Sequence, residues 1–75
     1  MNIEWISLDG KYKMRTFQDG TRYVTRLFNV NRILLLNEFV HDDKKVAELF
    51  HDKYVNSLEA VQRLGFSFIW EIDIK

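Results

Sequence analysis

Two Asp-Gly dipeptides, Asp9-Gly10 and Asp19-Gly20, sit ten residues apart in a stretch whose remaining residues alternate in polarity. Asp-Gly between alternating segments is the strongest short hairpin signal, because a type I′ turn needs positive φ at both central positions. Two such turns predict a three-stranded antiparallel meander over residues 2–8, 11–18 and 21–28. With two-residue loops, counting back from each turn sets the pairing. Around the first turn Leu8 then faces Lys11, Ile6 faces Lys13, Trp5 faces Met14 and Glu4 faces Arg15. Around the second, Phe17 faces Arg22, Arg15 faces Val24, Lys13 faces Arg26 and Lys11 faces Phe28.

Side chains on a strand alternate between the two faces of its sheet. One face of the meander collects Ile3, Trp5, Tyr12, Met14, Thr16, Tyr23, Thr25 and Leu27, and it is the better core. The other holds Lys11, Lys13, Arg15, Phe17, Arg22, Val24, Arg26 and Phe28, together with Glu4, Ile6 and Leu8. Although the chain has a formal net charge of zero, residues 11–32 contain six Lys or Arg against Asp19 alone, a local net of +5. The positive charge is therefore expected on one side of a sheet.

The segment RILLLNEFV, residues 32–40, starts apolar on both faces. A strand buried on both sides has this pattern, and so does a short buried helix. The preceding Asn29-Val30-Asn31 suits a hairpin loop and favours a fourth strand. From Asp43 to Leu64 the period is helical, with Val46, Leu49, Phe50, Tyr54, Leu58, Val61 and Leu64 on one side. Asp42 and Asp43 suit the positive end of the helix dipole, and Gly65 suits a C-terminal cap. Lys53 and Ser57 interrupt the apolar stripe. Either Lys53 extends its stem along the core, or the helix breaks near Asn56 and Ser57 caps a second piece.

The closing FSFIWEIDIK alternates cleanly and predicts a last strand, with Phe66, Phe68, Trp70, Ile72 and Ile74 on one side. The expected fold class is α+β: a mainly antiparallel four- to five-stranded sheet in the order ββββαβ, with one long helix packed on one face. Seventy-five residues make one domain, 1–75, and a chain this short buries only about 60% of its unfolded surface.

Composition and motifs narrow the function. With 47% hydrophobic and 29% charged residues the chain is globular rather than disordered. It contains no Cys, so neither a disulfide nor a thiolate metal site is expected. No apolar run approaches the ~18 residues of a membrane span, and MNIEWISLDG lacks the features of a signal peptide. A cytoplasmic protein with no membrane partner is expected. His41 and His51 begin two His-Asp pairs. Ten residues along a helix is ~1000° of rotation, so their rings would diverge, and no third ligand has suitable spacing. Both histidines are expected at the surface or beside a cap, with no metal and no cofactor. The chain has no nucleophile elbow, phosphate-binding glycine loop or dinucleotide fingerprint, and no enzyme activity is expected.

What remains is the cationic sheet face. Long Lys and Arg stems over a solvated sheet would account for the charges, with Glu4 pairing Arg15. They account less well for Ile6, Leu8, Phe17, Val24, Phe28 and Ile69, which exceed what a small domain usually exposes as a patch. Arg mixed with aromatics is the composition enriched at interface centres. The expected function is a small non-enzymatic regulator or inhibitor that docks this face on an acidic surface of a protein partner. Compact accessory proteins of phages and mobile elements are of this kind. Phe17 and Phe28 would anchor it, while Lys13, Arg15, Arg22 and Arg26 would steer and pair. The alternative is single-stranded nucleic acid on the same face, with aromatics stacking on bases. An edge-paired homodimer is a third expectation.

Overall fold

The chain folds as α+β in a computed structural model that describes residues 1–65. Strands β1 (Asn2–Ile6), β2 (Tyr12–Asp19), β3 (Arg22–Asn29) and β4 (Leu34–His41) form one antiparallel sheet in that order. Helix α1 (Lys44–Arg63) follows and packs on one face. The strand expected over residues 66–75 lies outside the described residues. Among the described residues, no helix is long and apolar enough to cross a membrane.

The two Asp-Gly turns form differently from expectation. In the second, Asp19 pairs with Arg22, so the two loop residues are Gly20 and Thr21 rather than Asp19 and Gly20. Gly20 takes φ +61° and Thr21 does not share the left-handed region, which is the pattern of a type II′ turn with Gly first. The pairing is displaced by two positions. Every side chain keeps its expected face, but its neighbours change: Arg15 lies opposite Arg26, and Phe17 opposite Val24. The first hairpin keeps its expected register, with Glu4 opposite Arg15 and Ile6 opposite Lys13. Its loop is longer, however. Ser7 N–H bonds the Tyr12 carbonyl (2.9 Å), and Gly10 N–H bonds the Ser7 carbonyl (2.9 Å). The Asp9 carboxylate accepts from Ser7 Oγ (2.6 Å) and from the Lys11 amide (3.0 Å). Leu8 and Lys11 therefore sit in the turn and do not pair with each other, although the Lys11 carbonyl accepts from the Val30 amide (2.8 Å).

The segment over 34–41 is a strand, with a bulge in its pairing to β3 at Leu27 and Phe28. Met14, Tyr12 and Leu27 from the sheet meet Leu58 from the helix in the core, with Trp5, Leu36, Tyr54, Val55 and Val61 packed around them. Trp5 Nε1 donates to Glu59 (3.1 Å), tying β1 to the helix.

Helix α1 is continuous through Asn56, and Ser57 Oγ donates back to the Lys53 carbonyl (3.0 Å) rather than capping a second helix. Asp43 is the N-cap. Its carboxylate accepts from the amides of Lys45 (2.7 Å) and Val46 (3.3 Å). Asp43→Ala is expected to lower unfolding stability by about 1 kcal/mol; chemical denaturation checks this, and an unchanged midpoint would remove the cap's role. Gly65 takes φ +80° and donates to the Gln62 carbonyl, closing the helix. The helix is rotated relative to its expected stripe. Its buried residues are Ala47, His51 and Leu58, whereas Val46 and Leu49 are exposed by 53% and 61%. Lys53 and Ser57 consequently lie outside the core.

Candidate functional site

The sheet face away from α1 is built by alternation. Tyr12, Met14 and Thr16 of β2 and Thr25 and Leu27 of β3 are buried toward the helix. Their neighbours Lys13, Arg15 and Phe17, and Arg22, Val24, Arg26 and Phe28, therefore point to the opposite side. Seven of the eight expected site residues share this face. Lys11 stands apart in the turn before β2.

Register arranges the face in three cross-strand rows, with the pair Asp19 and Arg22 beyond them. The central row runs Glu4, Arg15, Arg26, Glu38, one residue from each strand. On one side lie Phe17, Val24 and Val40; on the other lie Ile6, Lys13, Phe28 and Leu35. Two adjacent arginines thus occupy the middle, a carboxylate closes each end, and apolar groups flank both sides. Like charges placed directly opposite destabilise a strand pair. The contacts around Arg15 and Arg26 offset this. Arg26 Nε donates to Glu38 Oε2 (2.6 Å), and Arg15 Nε donates to Asn2 Oδ1 (3.0 Å). Glu4 lies 4.0 Å from Arg15 Nε and 3.5 Å from Lys13 Nζ. The guanidinium carbons of Arg15 and Arg26 lie 4.7 and 5.1 Å from the centroid of the Phe17 ring. These are cation–π distances.

The charge of this face is more balanced than the sequence count implies. Asp19, Glu4 and Glu38 share it with Lys13, Arg15, Arg22 and Arg26, and Asp19 lies directly opposite Arg22. Glu38 could not be placed from the sequence, because the bulge at Leu27 and Phe28 changes the register of β4. The apolar members are unequal: Val24 is only 5% exposed, Phe17 and Phe28 are half-buried, and Val40 and Ile6 are exposed.

His51 corrects a second expectation, whereas His41 lies two residues before the N-cap Asp43. His51 is buried at 3% exposure, and His41 is half-buried against the Phe50 ring (centroids 4.8 Å). His51 Nδ1 is 2.8 Å from Thr16 Oγ, which is 2.8 Å from Thr25 Oγ. Thr25 Oγ is in turn 3.2 Å from His41 Nε2. Three hydrogen bonds have only two hydroxyl protons between them, so at least one ring donates into the chain. Burial pushes the His51 imidazole below its ordinary 6.5, while the Asp52 carboxylate opposes the shift. Thr16 and Thr25 stand opposite each other on the core face, a pairing that the correct register would have revealed. Among the described residues, no group of three His, Asp or Glu is gathered to hold a metal ion.

Comparison with protein-family models, with curated proteins and with solved structures returned no match.

Proposed function

We propose that this chain is a non-enzymatic protein-binding module of a regulatory or inhibitory kind, which docks the outer face of its sheet on an acidic surface of a protein partner. The row Glu4, Arg15, Arg26, Glu38, with Phe17 beneath both guanidinium groups, carries the reading. Arg and aromatic side chains held in place on regular strands lose little freedom on binding, which is what interface centres need. The arrangement favours protein over nucleic acid. Phe17 already carries two guanidinium groups, and Glu4 and Glu38 at the ends of the row repel a continuous polyanion.

The test is affinity capture on immobilised wild-type chain and on Arg15→Ala/Arg26→Ala, with and without nuclease, followed by calorimetry with the purified partner. The double variant is expected to weaken binding at least about a hundredfold, as loss of two central arginines does at a hot spot. Equal affinity for the variant would remove the outer face from the account. Capture that disappears on nuclease treatment would transfer it to nucleic acid.

A further inference from the structure

We infer that Arg15 and Arg26 form a two-guanidinium clamp for a single carboxylate of an acidic peptide segment, an inference that rests on the docking face proposed above. Each guanidinium carries five N–H donors in a planar fork. Among the described residues, the side-chain hydrogen bonds of both arginines use Nε alone, to Asn2 and to Glu38. Those bonds set the orientation of each plane, and the Phe17 ring supports both planes from one side chain. The terminal amino groups are left to serve a ligand. The side chains are 45% and 39% exposed, open enough for a ligand to reach and covered enough to be held.

Glu4 and Glu38 offset the repulsion between the two arginines from the ends of the row, and a carboxylate set between the guanidinium groups would offset it directly. A carboxylate fits for three reasons. Its two oxygens match the guanidinium fork, so each arginine can give it a parallel or bridging hydrogen bond. It brings a single negative charge, whereas a run of acids would set further anions beside Glu4 and Glu38. Val40 in one flanking row, and Phe28 and Leu35 in the other, lie where the residues before and after the acid would rest. The clamp therefore selects an acidic residue with apolar neighbours rather than a run of acids.

The probe is a blocked ten-residue peptide with one central Glu between Leu residues and solubilising Ser at its ends, titrated into the full chain and followed by NMR at the arginine Nε–H groups. Wild-type chain is expected to bind it with shifts concentrated at Arg15 and Arg26. Replacing the peptide's Glu by Gln should weaken binding about tenfold or more and leaves the protein untouched. Arg15→Lys and Arg26→Lys keep the charge but remove the fork, and each should cost about tenfold. Arg63→Lys, on the helix and off the sheet face, should stay within about twofold. Lysine variants that bind as tightly as wild type would overturn the clamp, while leaving the docking face to be judged by the capture experiment. Wild-type chain that ignores the peptide, or binds an oligothymidylate more tightly, would overturn the carboxylate assignment.

Discussion

Met14→Ala is expected to lose about 2–5 kcal/mol of unfolding stability. Met14 has no exposed surface, lies opposite Trp5 on one neighbouring strand and Leu27 on the other, and meets Leu58 of the helix. Truncating it leaves a cavity where all three secondary-structure contacts converge. A domain of this size has about 4–11 kcal/mol in total, so the variant should unfold at far lower urea and could populate the unfolded state at 37 °C. Leu49→Ala is the contrasting variant. Leu49 is 61% exposed despite its place in the apolar stripe of the sequence, and its removal should change stability by less than about 0.5 kcal/mol. Equal losses for the two variants would show that the helix buries the stripe its sequence advertises, and not Ala47, His51 and Leu58.

Thr16→Val should be the most damaging conservative change. It preserves shape but removes the hydroxyl that joins His51 to Thr25. A buried ring nitrogen and a buried hydroxyl lose a partner, at an expected loss of about 1–3 kcal/mol. The same chain makes stability depend on pH. Because His51 binds a proton less readily in the folded state than its ordinary 6.5 implies, its contribution is fully present above about pH 6.5. It is lost as pH falls below that value toward the depressed folded-state pKa. Asp9 acts in a separate, more acidic window. The Ser7 hydroxyl first, and then the amide and charge of Lys11, hold its carboxyl below 3.8, so its contribution is lost only as pH falls below about 3.8. Urea midpoints between pH 8 and 5 should decline in wild-type chain and much less in His51→Leu. A wild-type midpoint that stays level across this range would contradict the assignment of His51.

The elements that followed from the sequence are those with a local cause. Glycine at Gly10, Gly20 and Gly65 marks positive φ at the two turns and at the helix end. Asp43 caps the helix because a short carboxylate at that position reaches two free amides. The candidate face was legible because strand alternation has a period of two. Displacing the second hairpin by two positions therefore left Arg15, Phe17, Arg22, Val24, Arg26 and Phe28 on the side away from the helix. The pairing within that face was less accessible. Asp-Gly favours positive φ at both positions, yet the chain places its turn one residue later, where Gly20 alone supplies it. Arg15 thereby meets Arg26, and the clamp exists only in that register.

The amino-acid sequence by itself determined which residues of β2 and β3 share a sheet face, where the helix begins and ends, and the α+β class, since these depend on dihedral preference and on side-chain period. Tertiary structure alone decided which arginines are neighbours, where Glu38 falls after the bulge in β4, and which side of α1 is buried. The physical reason is that register and helix rotation minimise the free energy of the whole packed unit. There, a histidine bonded to Thr16 can occupy a core position while Leu49 remains in water.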